Sequence, residues 1–211
     1  MSLEEISQAV IDGDGELVES LVRKSLGEGL APSKIINDGL IAGMNIVGDR
    51  FKSGDFFIPE VMMSARAMHS GLGIVKPLLS KSEEGKHGTI VICTVKGDVH
   101  DIGKNLVSMM LEGAGFRVVD LGTDVSPERI LAAVREHEPQ ILAMSTLLTT
   151  TLPRVPEAIK ALEAAGLRSK VKVMIGGAPV TQSFAQKAGA DAYAPDAALA
   201  VDTAKKLLGS R

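Results

Sequence analysis

From residue 89 onward, apolar runs rich in β-branched residues alternate five times with helical patterns, and no such run occurs before residue 80. That alternation constrains the fold more than any other feature. Strands separated by helix-length segments pair in parallel and need helices on both faces of their sheet. The strands are expected at Thr89–Val95, Phe116–Leu121, Gln140–Ser145, Lys170–Ile175 and Ala190–Ala194. The helices between and after them are expected at Ile102–Ala114, Ser126–Glu136, Pro153–Ala165, Thr181–Ala188 and Ala197–Leu208. Ser126 with Arg129, rather than Glu, three positions on is half of a capping box. The pattern predicts an α/β fold with a doubly wound, five-stranded parallel sheet, flavodoxin-like or Rossmann-like in kind.

The first eighty residues read as helices alone. Leu3–Ile11 is short and amphipathic. Asp14 is placed to cap Glu16–Leu26, and Gly27 and Gly29 to stop it. Ser33 follows Pro32 and opens Lys34–Phe51. Pro59 suits the first turn of Glu60–Leu79, whose apolar stripe runs through Val61, Met62, Ala65, Met68, Leu72, Val75 and Leu79. Four helices with short connections predict a small four-helix bundle. The polar stretch SKSEEGKHG (Ser80–Gly88) reads as a linker. The expected organisation is a helical domain over 1–80, a linker over 81–88 and an α/β domain over 89–211.

Composition removes several function classes. The net charge is −3 and aromatics are 3%, with no Trp and one Tyr, so neither the basic face nor the stacking residues of a nucleic-acid binder are expected. The one cysteine, Cys93, allows no intramolecular disulfide and no cysteine-based zinc site. No run of about 18 apolar residues suits a membrane span, and the polar, acidic start does not read as a signal peptide. The expectation is a cytoplasmic protein without nucleic-acid or membrane partners.

In an open α/β sheet, ligands bind beyond the carboxyl ends of the strands where strand order reverses. For order 2-1-3-4-5 that point lies between strands one and three. It selects the loop Lys96-Gly97-Asp98-Val99-His100-Asp101-Ile102-Gly103-Lys104-Asn105 and the loop Ser145-Thr146-Leu147-Leu148-Thr149-Thr150-Thr151. The first loop lacks the G-x-G-x-x-G fingerprint and the G-K-[ST] of a P-loop. It offers instead one histidine flanked by two carboxylates. Three readings stand. His100 is a surface histidine beside helix-capping acids. Alternatively, Asp98, His100 and Asp101 hold a metal between them. Alternatively, His100 ligates a metal carried by a cofactor, and Asp98 takes its second ring N–H.

Asp98-x-His100-x-x-Gly103, then Ser145-x-Leu147, then Gly176-Gly177 resembles the signature of cobalamin-binding proteins. Residues 104–144 (41 positions) and 148–175 (28 positions) separate the three parts, spacings that also fit. The stretch VKGDVHDIGKN is similar to cobalamin-dependent methionine synthase and to the corrinoid proteins of methylamine, methanol and methoxyl methyltransfer systems. FKSGDFFIPEV (Phe51–Val61) resembles the helical cap of those proteins, so the resemblance covers nearly the whole chain.

The resemblance implies cobalamin bound base-off, with its nucleotide tail in the sheet domain and His100 as the lower axial cobalt ligand. Asp98 would orient His100. Thr151 stands where methionine synthase has a serine that continues the relay. Val99, Asp101, Ile102 and Gly103 would lie against the cofactor. Ser145, Leu147 and Thr149 would line the tail pocket. Gly176, Gly177 and Ala178 would let the backbone approach it, and Tyr193 lies at the same sheet edge. For Gly176-Gly177 alone, a tight turn explains the residues equally well. Phe51, Ile58 and Val61 would cap the upper corrin face; read without the resemblance, they are bundle core.

The implied function is a methyl carrier cycling between cob(I)alamin and methylcobalamin, not catalytic by itself. Its implied partners are a substrate:corrinoid methyltransferase, a methyltransferase that passes the methyl group to an acceptor (tetrahydrofolate or a thiol), and a reductive activator. The alternatives are a cobalamin-dependent regulator or sensor and the cofactor subunit of a cobalamin mutase. A response-regulator-like domain is the alternative from fold alone.

Overall fold

A computed structural model describes residues 3–78 and 87–209. The chain divides into two compact units, one with Met1–Lys86 and Glu112–Gly115, the other with His87–Leu111 and Phe116–Arg211. Most of the expected linker, and Leu79, lie outside the described residues.

The first unit is helical, as its patterning dictates. α1 (Leu3–Ile11) buries Ile6, Val10 and Ile11. α2 (Gly15–Gly27) starts at Asp14, whose carboxylate accepts the Leu17 N–H at 2.9 Å. The third rod has three parts: α3 (Pro32–Lys34), a π-helical stretch Ile35–Ile41, and α4 (Ala42–Ser53), which Gly54 ends in a left-handed cap. The π stretch is a departure from the expected regular helix. Seven residues are too few for apolar spacing to separate i→i+4 from i→i+5 bonding. α5 (Ile58–Val75) begins with Pro59 in its first turn and a Glu60 side chain accepting the Phe57 N–H at 3.0 Å. A short 3₁₀ turn, Lys76–Leu78, follows it. Val18, Val22, Leu40, Met44, Val47, Val61, Ala65 and Met68 form this unit's buried interior.

The second unit is the doubly wound sheet. Its strands are β1 (Thr89–Thr94), β2 (Arg117–Asp120), β3 (Ile141–Ser145), β4 (Lys172–Gly176) and β5 (Ala192–Tyr193), all parallel in the order 2-1-3-4-5. The connecting helices are α6 (Ile102–Gly113), α7 (Pro127–His137), α8 (Arg154–Ala164) and α9 (Gln182–Ala188), and α10 (Ala197–Leu207) closes the chain. β1 is buried at all but its first residue, as a central parallel strand must be. Val91, Cys93, Leu142, Met144, Val173 and Ile175 pack with Ile130, Val134, Val155, Ile159 and Leu162 of α7 and α8. Ile90 and Ile92, at the alternate positions of β1, face the other side. Right-handed crossovers place α6 on that side. The switch point between β1 and β3 puts the β1–α6 and β3–α8 loops side by side at one sheet edge.

Candidate functional site

β1 ends at Thr94, and a turn at Val95–Asp98 lifts the chain out of the sheet with Gly97 at φ +82°. The turn delivers Asp98 into the crevice, where the residue has 0% exposure. Its carboxylate meets five donors. Oδ1 accepts the His100 main-chain N–H (3.1 Å) and faces His100 Nδ1 at 2.7 Å. Oδ2 accepts the Leu147 N–H (2.7 Å), the Leu148 N–H (3.2 Å) and the Thr151 hydroxyl (2.9 Å). Burial alone would push this carboxyl up. The Leu147 N–H, the His100 ring, the His100 N–H and the Thr151 hydroxyl together outweigh burial and hold it well below the usual carboxylate range.

An ionised carboxylate only accepts, so Nδ1 of His100 carries the proton toward it. The lone pair of a neutral imidazole then sits on Nε2. The His100 side chain is 47% exposed, so the ring stands at the surface on a buried support. Its main-chain carbonyl accepts the Thr94 hydroxyl at 2.9 Å, which ties the loop back to the end of β1.

A second hydroxyl extends this support. Thr146 Oγ1 lies 2.7 Å from Thr151 Oγ1, and Thr146 is fully buried. Its alternative acceptor, Leu148 O, is 3.5 Å away, so the Thr146 proton goes to Thr151. Thr151 can in turn donate to Asp98 or to Leu148 O, each at 2.9 Å. The chain Thr146, Thr151, Asp98, His100 is therefore continuous. At the start of α6, buried Lys104 pairs with Asp120 and donates to Asn105 at 2.7 Å. Burial, with Asp120 close by, pushes the Cys93 thiol up to about 12, so this cysteine is neither a thiolate nucleophile nor a ready metal ligand.

The expected residues of the α/β unit gather at this edge. Val99, Asp101, Ile102, Gly103, Leu147, Thr149 and Ala178, on the loops and the first turn of α6 at the carboxyl ends of the strands, are exposed. Ser145, Gly176, Gly177 and Tyr193 are half-buried, and Asp98 and Thr151 are buried. Gly177 has a steric role of its own. Its φ is +123°, and a Cβ there would lie 1.8 Å from the Thr146 carbonyl oxygen, so no other residue fits without moving the backbone. A Cβ on Gly176 would lie 2.8 Å from Ala194 O. In the helical unit Val61 is fully buried, Phe51 half-buried and Ile58 exposed, with Phe57 beside it more exposed still. Sequence reasoning passed over Thr94, Thr146, Phe57 and Asp124. The first two are hydroxyl residues at strand ends, and β1–β3 register sets Thr94 against Ser145.

The donor set fits cobalamin. Among the described residues no group of three or more His, Cys, Asp and Glu is arranged to hold a metal ion, so the reading of Asp98, His100 and Asp101 as joint ligands has no support. One imidazole backed by a buried carboxylate instead suits a metal whose other ligands come from a macrocycle. Val99 and Ile102, 71% and 76% exposed, are apolar side chains with a reason to be covered. A Cβ on Gly103 would meet nothing within 4 Å, so the space beside it is open.

A doubly wound sheet with this loop at its switch point, following a helical unit, defines a cobalamin-binding protein. The B12 binding domain family matches residues 88–202, and a second family, also described as B12 binding domain, matches residues 2–76. The chain belongs to this family of cobalamin-binding corrinoid proteins. It is 48% identical over 207 residues to the dimethylamine corrinoid protein of Methanosarcina barkeri, covering 98% of this chain and 97% of that one. The crystal structure of the methanol:cobalamin methyltransferase complex of Methanosarcina barkeri matches with a TM-score of 0.91 at 34% identity, over 99% of this chain and 80% of that chain. A cobalamin-binding protein from Desulfitobacterium hafniense matches with a TM-score of 0.78 at 36% identity, over 98% of both chains. No helix among the described residues is long and apolar enough to cross a membrane.

Proposed function

We propose that this chain carries methyl groups on cobalamin, with His100 as the lower axial ligand and the nucleotide tail received at the β1–β3 edge. The observation that carries the reading is the Asp98–His100 pair, in which a fully buried carboxylate holds Nδ1 and leaves Nε2 to coordinate. When bound, the cobalt supplies the chemistry of accepting a methyl group from one donor and giving it to another. Everything else falls to the chain. Asp98 sets the tautomer and orientation of the imidazole. Thr151 and Thr146 keep Asp98 anionic by donating toward it. By holding the Nδ1 proton, the Asp98 carboxylate would raise the basicity of Nε2 toward the cobalt. Val99, Asp101, Ile102 and Gly103 would lie against the cofactor, Ser145, Leu147 and Thr149 would line its tail pocket, and Gly176, Gly177, Ala178 and Tyr193 would bound the tail.

Exposed Ile58 and Phe57, with Phe51, supply apolar side chains suited to exclude water from the upper side. Val61 is buried within its unit's interior and offers no exposed surface of its own to the cofactor. Methyltransferases are the chain's partners. The finer assignment is one methyltransferase that loads the methyl group, one that passes it to tetrahydrofolate or a thiol, and a reductive activator. Relatives of 43–49% identity are named dimethylamine and trimethylamine corrinoid proteins, which supports a methylamine as the donor. The cytoplasm is the compartment where such partners would act.

The test is electron paramagnetic resonance of protein loaded with cob(II)alamin. Wild type is expected to show splitting from one axial nitrogen, and His100→Ala to lose it while still binding cofactor. Splitting that survives in His100→Ala would overturn the ligand assignment.

A further inference from the structure

The loop that carries His100 is gripped by a second loop, Leu121–Val125, between β2 and α7. Asp124 sits in that loop at φ +52°. Among the described residues, one other non-glycine has positive φ, Glu138, and its conformation is the left-handed end of α7. Asp124 ends no helix. The left-handed region is uncommon for a non-glycine residue, though Asp enters it more readily than most, and such a residue stays there where its surroundings hold it.

The surroundings are the histidine loop. The Asp124 N–H donates to the Asp98 carbonyl at 2.9 Å, and its Oδ1 accepts the Gly97 N–H at 2.7 Å. One residue thus holds the Gly97 N–H and the Asp98 carbonyl, the groups that flank the Gly97–Asp98 peptide, just before the histidine. The gripping loop is itself anchored on β1. The Thr94 N–H donates to Gly122 O (2.9 Å), the Val125 N–H donates to Thr94 O (3.1 Å), and Val95 bridges Val125.

We propose that Asp124 is a positioning residue for the axial histidine: it fixes the Gly97–Asp98 peptide so that the Asp98 carboxylate stands under Nδ1 of His100 before the cofactor arrives. The Asp98 side chain has its own partners, but its main-chain end is set by Asp124. A loop already ordered spares cofactor binding that ordering cost. The inference rests on His100 being the cobalt ligand.

Three variants separate strain from grip. Asp124→Asn keeps an acceptor and tolerates the left-handed conformation. Asp124→Gly relieves the strain and loses the acceptor. Asp124→Ala loses the acceptor and keeps the strain. In cofactor-free protein the Gly97 amide is expected to exchange roughly tenfold faster in the Gly and Ala variants, as for loss of one hydrogen bond to a charged group. The Gly variant is expected to melt no lower than wild type, the Ala variant lower. In protein loaded with cob(II)alamin, both should show a population without axial nitrogen splitting, on the order of a tenfold shift in the coordination equilibrium, and Asp124→Asn should restore it. Wild-type Gly97 exchange and full splitting in both the Gly and Ala variants would overturn the proposal. So would an Asn variant as impaired as Ala. His100→Ala run alongside keeps the two readings apart. If it retains the splitting, the ligand assignment falls, and Gly97 exchange with the His100 ring nitrogen shifts in cofactor-free protein decides the role of Asp124.

Discussion

A carboxylate without solvent is tolerated where donors surround it. Asp98 has five, from both switch-point loops, and they hold it ionised against the pull of burial. The folded carboxyl therefore titrates below its unfolded value of about 3.9. Its contribution to stability is present above that value and is lost as pH falls through the folded pKa. Urea midpoints measured from pH 7 down to pH 3 should fall more steeply in wild type than in Asp98→Asn. At pH 7 the Asn variant should be less stable by about 1–3 kcal/mol, since its NH2 must face a donor. Parallel pH curves would show that Asp98 is not the group responsible. His100 was legible from the chain because the switch-point rule needs strand order alone. Thr146 was not, because its partner Thr151 becomes a partner only when the β3–α8 loop turns back on itself.

The elements that matter most are the strand ends. β3 and β4 run in register from Ile141 against Lys172 to Ser145 against Gly176, and the next residues, Thr146 and Gly177, meet backbone to backbone. Gly177→Ala would place a methyl group on the Thr146 carbonyl and force φ away from +123°. The expected cost is on the order of 3 kcal/mol. The same shift moves Thr146 off Thr151, so cobalamin affinity should fall together with the thermal midpoint. A melt within a degree or two of wild type would mean that the edge relaxes freely. The element boundaries lie within two residues of their expected places for all four connecting helices, because caps such as Ser126 and Thr181 are local signals. β2 and β5 are shorter than expected, at Arg117–Asp120 and Ala192–Tyr193. Each edge strand pairs with only part of its single neighbour, β2 with Thr89–Ile92 and β5 with Met174 and Ile175, and apolar content does not report that.

At the scale of the molecule, two units with separate interiors divide the work. His100 and the residues proposed to line the tail lie in the second. Removing residues 1–79 should leave a protein that binds cobalamin, measured by retained corrin absorbance after gel filtration. Methylcobalamin bound to it should photolyse faster than in the full chain, because the apolar side chains at Phe51, Phe57 and Ile58 are gone. Equal decay would remove the capping role. In the full chain, cobalamin at about one hundred times its dissociation constant should stabilise by about 2.7 kcal/mol, read as a raised thermal midpoint. An unchanged midpoint would count against a buried tail.

Patterning alone determined the helical and α/β halves, the parallel sheet and the two loops that face the ligand. Periodicity and capping are local, and parallel connectivity leaves few strand orders. The resemblance in Asp98, His100 and Gly103 then singled out one cofactor. The tertiary structure decided what supports the histidine. Asp124 lies 27 residues from Gly97 along the chain, and Thr151 lies 53 from Asp98. A hydrogen bond needs its partners within about 3 Å, and at such separations only the folded sheet brings them that close.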